Sequence, residues 1–448
     1  MTEAPRHFSA LARRSTEPPI SWLMKLTLDR PDLISLAAGF TDNETLPVEE
    51  VERITRDILG RPKTARAALQ YGSTIGLPQL RHEILHHWQK QDQVTSRRSP
   101  VTADDVIVTN GSQQLLYLVT EVLCDPGDIV VVEDPTYFVY LGILQAMGVR
   151  AMGFESTASL KSKLERLKRR RLLPRVKLLY LVTYFQNPTG HTWSLDAKRE
   201  ALDIVKHYER AAGHPIYIVE DAAYRDLRFE GRDVPSFKTL DPRNERVAYT
   251  NTLTKPFATG IKIGYGILPP PLMRAVLHSK GNHDFGSSNL LQTVLARALA
   301  DGLYEHHLPK IGAAYRCKRD AMVAALDTAF NCRGASAKRR RSGGMLTARA
   351  SQKRSDTDMV GARYEEPHGG LYVWLELDPR VKTGLKSRLF DRALDAGVLY
   401  VPGELCYGND PSCPIPQNRI RLSFGAPRVE QIRKGIRLLA DALDSLTG

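Results

Sequence analysis

Thr250-Asn251-Thr252-Leu253-Thr254-Lys255-Pro256-Phe257-Ala258-Thr259-Gly260-Ile261-Lys262-Ile263-Gly264-Tyr265-Gly266 follows an apolar run, residues 247–249, that reads as a short buried strand. Lys255 stands among small hydroxyl residues, with glycines close behind. Desolvation in such a place lowers an amine's pKa and frees its neutral form to act as a nucleophile. Thr252 and Thr254 offer hydroxyls, and Lys262 offers a positive charge a short way along the chain. Together they suit a phosphorylated aldehyde: the amine forms a Schiff base with it and the donors hold its phosphate. Alone, the S/T-x-S/T-K pattern is short and fits equally well a strand-to-loop segment with an exposed lysine.

Working outward, residues 101–270 alternate short apolar strands with amphipathic helices. Strands are predicted at 106–108, 129–132, 178–182, 216–219, 247–249 and 264–268, and helices at about 112–123, 136–147, 194–211 and 271–279. Continuous Val/Ile/Leu strands between helices argue for a mostly parallel sheet covered on both faces. Upstream, residues 34–40 (Ile-Ser-Leu-Ala-Ala-Gly-Phe) read as a strand ending at Gly39.

Most of these strands end in a motif. Thr109-Asn110-Gly111-Ser112-Gln113 joins a strand to a helix, where glycine and free N–H groups make a phosphate site; a simple Ser cap is the plainer reading. Glu133-Asp134-Pro135-Thr136-Tyr137 follows the next strand. Gln186-Asn187-Pro188-Thr189-Gly190 is a turn signal in its own right. Glu220-Asp221-Ala222-Ala223-Tyr224 puts a carboxylate at a strand's carboxyl end, where ligands bind in such sheets. There it can pair with a protonated ring nitrogen, although a strand-end Asp is often only a cap. Gln70-Tyr71-Gly72-Ser73 and Asn418-Arg419-Ile420-Arg421 complete the set.

In this order the segments resemble the fold-type I pyridoxal-phosphate (PLP) aminotransferases of class I/II, nearest the kynurenine/2-aminoadipate and aromatic branch. The resemblance covers nearly the whole chain from about Ile34. It implies PLP held by Gly111, Ser112, Gln113, Thr252, Thr254 and Lys262, with Lys255 as the Schiff-base lysine. Tyr137 would stack on the ring, Asn187 and Tyr224 would bond its phenolic oxygen, and Asp221 would face its nitrogen. Gly39, Asn187 and Arg421 would meet the substrate, Arg421 gripping its carboxylate with two parallel bonds. Arg419, on the same strand face, is the competitor for that task. Tyr71 would reach the phosphate of a partner subunit, which implies a homodimer. Two departures stand out. Relatives usually carry arginine at Lys262, whose fork geometry lysine lacks, and often proline at Thr183.

The implied fold is α/β: a large, mostly parallel PLP-binding domain (46–300) and a smaller α+β domain (301–448, with the arm 1–45). The implied reaction is transfer of an amino group from an aromatic or long-chain 2-amino acid to a 2-oxo acid such as 2-oxoglutarate. A lyase or aminocyclopropane-carboxylate synthase-like enzyme on the same frame is the first rival. A non-catalytic ligand sensor is the second; such regulators carry a winged helix, for which the residues before Ile34 are too few.

The chain's 448 residues, 42% hydrophobic and 25% charged, have the composition of a globular protein with more than one domain. No apolar run is long enough to span a bilayer, and Met1–Arg14 lack a signal-peptide core, so a cytoplasmic protein is expected. Five cysteines without metal-type spacing predict free thiols and no zinc site. The net charge of +13 sits largely in two basic runs, 166–171 and 338–341. Neither is interleaved with aromatics, so no nucleic-acid partner is expected. The first run reads as a solvated helix end. The second lies in a polar stretch, 331–365, read as a mobile insertion.

Overall fold

The computed structural model describes residues 5–94, 100–330, 361–410 and 413–446. The strands, in chain order, are β1 (Ile34–Ser35), β2 (Val106–Asn110), β3 (Ile129–Glu133), β4 (Arg150–Phe154), β5 (Val176–Val182), β6 (Tyr217–Asp221), β7 (Val247–Thr252), β8 (Ile263–Ile267), β9 (Tyr372–Glu376), β10 (Val398–Leu399), β11 (Val401–Pro402) and β12 (Arg419–Ser423).

All six strands predicted between 101 and 270 fall in one seven-stranded sheet of order β2-β8-β7-β6-β5-β3-β4. Neighbours are parallel from β7 to β4, and β8 alone runs antiparallel to the strands beside it. The seventh strand, β4, is an edge that the sequence reading missed. Alternate residues feed two cores, as the period of two demands. Ile129, Val131, Leu179, Leu181 and Ile218 pack on the helices Thr157–Arg169 and Leu195–Ala212. Val130, Val132, Leu178, Tyr180 and Val219 face the helices Gly111–Leu123 and Phe138–Met147. Val/Ile-rich strands thus have both faces covered, which is why they read as unbroken apolar runs.

The first basic run is indeed a helix end. Arg166, Lys168 and Arg169 close the helix Thr157–Arg169 just before β5, where cations oppose the negative end of the helix dipole. The second run, Lys338–Arg341, lies outside the described residues.

A smaller sheet, β11-β12-β9, is antiparallel, and β1 pairs in parallel with β10. That pairing ties the N-terminal segment to the C-terminal third. The long helix Leu303–Phe330 packs on the last helix, Val429–Asp444. Two expectations need correction. The stretch 34–40 is a strand only at Ile34–Ser35; beyond it, Leu36 is held singly between the Leu399 carbonyl (2.8 Å) and the Ser423 N–H (2.7 Å). The insertion is shorter than read: Ala362 is buried and Arg363 bonds Glu376 in both directions at 2.8 Å. Residues 331–360 lie outside the described residues. Among those described, no helix is long and apolar enough to cross a membrane, and no cysteine forms a disulfide.

Candidate active site

The parallel strands all point their carboxyl ends at one edge, so the loops after β2, β3, β5, β6 and β7 meet there. Gly264 lies in register between Thr109 of β2 and Thr252 of β7. A side chain at Gly264 would collide with the backbone of Gly111 and Ser112, so β8 packs directly against the start of the helix Gly111–Leu123. Asn110 caps that helix with no side-chain hydrogen bond, and Gly111 takes φ +73°. The N–H groups of the first turn are therefore free for an anion. Beside them the Thr252 and Thr254 hydroxyls are 2.7 Å apart. Lys262, exposed and in the left-handed region at φ +57°, has its amine next to Gly111.

Lys255 lies above this cradle, partly buried, and its Nζ donates to the Gly39 carbonyl at 2.8 Å. Burial, with Arg421 and Lys262 nearby, lowers its pKa. That is the direction expected for a nucleophilic amine. Gly39 has no room for a side chain because the Tyr372 hydroxyl occupies the space.

Asp221 is buried at the end of β6. Its carboxylate accepts from the Tyr180 hydroxyl (2.9 Å) and the Ala223 N–H (3.1 Å). Burial pushes its pKa up to about 6, against the pull of these donors. Tyr224 links two groups: its hydroxyl accepts from Asn187 Nδ2 at 3.4 Å and lies 3.2 Å from that of Tyr372. The Asn187 carbonyl in turn accepts from Arg421 Nη1 at 2.9 Å, and Arg421 Nη2 donates to the Ala37 carbonyl at 2.5 Å. The guanidinium lies over the Tyr372 ring at 4.4 Å, while its buried Nε has no partner. Arg419 is committed elsewhere, to the Tyr407 hydroxyl (2.7 Å) and Glu376 (3.6 Å).

A cavity of about 360 Å³ joins these groups. Gly39, Gln113, Tyr137, Asn187, Tyr224, Lys255 and Arg421, all singled out from sequence, line it. Gly111, Ser112, Thr252, Thr254 and Lys262 form the adjoining cradle, and the charge of Asp221 reaches Tyr137. Tyr71 does not join them: it is 84% exposed, its ring against Phe285. Tyr372, Phe138 and Tyr180 were missed, and the arm residues Pro18, Ile20, Ser21 and Met24 also line the space. A larger groove, about 1160 Å³, runs between His87, Arg225 and the helix Leu303–Phe330 and shares no residue with this cavity.

The sequence profile described as aminotransferase class I and II matches residues 31–439. The chain belongs to that family. It is similar to an aromatic-amino-acid aminotransferase of Thermococcus litoralis, 31% identical over 98% of this chain and 94% of the relative. It is likewise similar to a 2-aminoadipate transaminase of Thermus thermophilus, at 32% over 98% and 97%. Among solved structures, a Pyrococcus horikoshii kynurenine aminotransferase in complex with PMP superposes with TM-score 0.83, at 29% identity over 99% of this chain and 98% of that one. The enzyme is a PLP-dependent aminotransferase of fold type I. Its residues fit the cofactor: an uncapped helix start beside a free lysine suits a phosphate, and a buried carboxylate suits a protonated ring nitrogen.

Proposed function

We propose that the enzyme transaminates large, aromatic or long-chain 2-amino acids, with 2-oxoglutarate as acceptor. The carrying observation is the cavity wall. Pro18, Ile20, Met24, Phe40, Tyr137, Phe138 and Val139 surround the space, and Lys255 and Arg421 are its cations among the described residues. One guanidinium serves the α-carboxylate, which every substrate has, so side-chain choice falls to the apolar wall. A dicarboxylic acceptor must then place its second carboxylate toward the arm, where Ser21 is the polar group.

Bound PLP supplies an electron sink for the substrate's Cα. The chain's residues do the rest. Lys255, its pKa lowered by burial, would be the base that takes the Cα proton and returns it. Arg421 orients the carboxylate, with Asn187 and Ala37 holding its fork. Asp221 would keep the ring nitrogen protonated. Asn187 and Tyr224 would hold the phenolic oxygen, and Tyr137 would pack on the ring. Gly111, Ser112 and the Gln113 N–H, with Thr252, Thr254 and Lys262, would hold the phosphate, and Tyr71 of a second copy would complete it. Gly39 gives its backbone to the substrate side. The division into an arm at 1–45, a large domain at 46–300 and a small domain at 301–448 is part of this reading. It is supported by the β1–β10 pairing.

The test is kcat/KM with 2-oxoglutarate for phenylalanine, tyrosine, kynurenine, 2-aminoadipate, leucine and aspartate, with Lys255→Ala as the inactive control. Aromatic and long-chain donors are expected to lead. Preference for aspartate over every aromatic donor would overturn the proposal.

A further inference from the structure

Beneath Asp221, on the face of the sheet away from the cavity, lies a second polar cluster that touches no substrate. Thr183, Glu220 and Lys198 are fully buried. Glu220 Oε1 accepts from the Thr183 hydroxyl (2.8 Å) and from Lys198 Nζ (2.9 Å), and its Oε2 accepts from the Phe237 N–H (2.8 Å). Lys198 also donates to the Pro235 carbonyl at 2.9 Å and lies 4.1 Å over the Tyr184 ring. Every member is satisfied. Such a buried ion pair is weak evidence for stability, since an apolar replacement often serves as well. Its position is the informative part.

Glu220 and Asp221 are consecutive, so their side chains leave β6 on opposite faces. Val182 pairs with Asp221 in register, and Thr183 extends that ladder, its N–H donating to the Asp221 carbonyl at 3.3 Å. The Thr183 carbonyl accepts from the Trp193 N–H at 3.0 Å. Thr183 thus fixes the backbone of Asp221 on one side and begins the turn to Asn187 on the other. A proline there could donate neither the N–H bond to Asp221 nor the hydroxyl bond to Glu220, while its carbonyl could still accept from Trp193. The charge of Lys198 also offsets that of Glu220, the nearest carboxylate to Asp221 along the chain.

We infer that Thr183, with Glu220 and Lys198, is a positioning set that holds Asp221 and Asn187 in place against the cofactor ring. The inference rests on the roles given above to Asp221 and Asn187. Its test uses the holoenzyme and the variants Thr183→Ser, Thr183→Val, Thr183→Pro and Lys198→Met. Three readouts are taken: kcat against KM, PLP affinity of the resolved apoprotein, and the pH at which the bound cofactor's visible band changes. That band reports protonation at the linkage to Lys255, which faces Tyr372, Arg421 and Lys262 and responds to the charge of Asp221. Asp221 faces Tyr180 and Tyr137, and Glu220 acts on it from the opposite face of the sheet.

Thr183→Ser keeps the hydroxyl and is expected to match the wild type. Thr183→Val should lower kcat about tenfold with little change in KM, because a small misplacement of reacting groups is costly. It should also shift the band's titration, and Thr183→Pro should exceed it. Thr183→Val carries the decision, because Lys198→Met leaves a buried carboxylate uncompensated and can fail to fold. A Thr183→Val enzyme that melts earlier but keeps kcat, PLP affinity and band titration would overturn the inference, leaving a core ion pair. A wild type without any visible band would instead overturn the reading of the site.

Discussion

Lys262 holds a left-handed backbone conformation that arginine would adopt at no extra cost, since both are L residues with a β-carbon. Its amine stands beside Gly111 as a single point charge. A guanidinium there could bond two phosphate oxygens at once. Lys262→Arg should keep or tighten PLP binding, by up to about tenfold, or ~1.4 kcal/mol. Equilibrium titration of the apoprotein checks this, and weaker binding would mean that Lys262 has another task. Glu133 is the second residue worth a measurement. Its carboxylate accepts from Trp193 Nε1 (2.6 Å) and the Val182 N–H (2.8 Å). Burial still pushes its pKa up to about 7. The folded value lies above the unfolded one, so the fold takes up a proton there. The resulting stability is full below the ordinary carboxylate range and is lost as pH rises through about 7. Glu133→Gln cannot titrate. Losing one acceptor gives it a pH-independent penalty, but its stability relative to wild type should improve from pH ~5 to ~8, by roughly 2–3 kcal/mol. Denaturant melts of the apoproteins at several pH values read the slope; a flat difference contradicts the assignment.

Among elements, the strands with both faces covered were legible because unbroken Val/Ile/Leu runs admit few other readings. β4 was not: Arg150-Ala151-Met152-Gly153-Phe154 is an edge strand with a glycine next to its last residue. That glycine exists because the Asp134 carboxylate fills the space of its side chain, a long-range fact that no local pattern records. The stretch 34–40 failed in the opposite sense, apolar enough for a strand but with its backbone diverted to the site. The Ala37 carbonyl serves Arg421 and the Gly39 carbonyl serves Lys255. Motif residues were legible by their order, whereas Tyr372 and Tyr180 act through partners more than 40 positions distant. The insertion's end was misjudged for the same reason. Ala362 is apolar and buried, and Tyr364 donates to Asp327 at 2.7 Å, closing the segment back onto the long helix. Residues 333–360 should therefore tolerate replacement by a Gly/Ser linker, with activity within about twofold, since closure entropy depends only weakly on length. Extending the cut through 365 should lower the melting temperature. Loss of folding with the shorter cut would assign that polar, basic stretch a structural contact.

At the scale of the whole molecule, the exposed aromatics next to the phosphate cradle call for an occupant. Tyr71 and Phe285 are 84% and 58% exposed, and Leu69 beside them is 67% exposed. The loop carrying Phe285 is fastened to the cradle itself, because Asp284 accepts from Asn110 Nδ2 (2.8 Å) and Gln114 Nε2 (2.7 Å). An apolar patch so placed suits a second copy of the chain, each copy lending Tyr71 to the other's phosphate. If it does, sites in a mixed dimer are complementary. In a Lys255→Ala chain paired with a Tyr71→Ala chain, one site lacks both groups and the other has both. Tyr71→Ala alone should bind PLP about tenfold more weakly, the order expected for one hydrogen bond to a charged group. Lys255→Ala alone should be inactive. Co-expressed and purified on two different tags, the mixed dimer should regain one wild-type-like PLP site and about half the wild-type kcat per dimer. This needs no new contact, only the pairing of intact halves. Regain of neither would show that Tyr71 serves the phosphate of its own chain, and wild-type PLP binding by Tyr71→Ala alone would make it an ordinary surface tyrosine. Sedimentation of the wild type, expected at twice the 50.1 kDa chain mass, fixes the reference state.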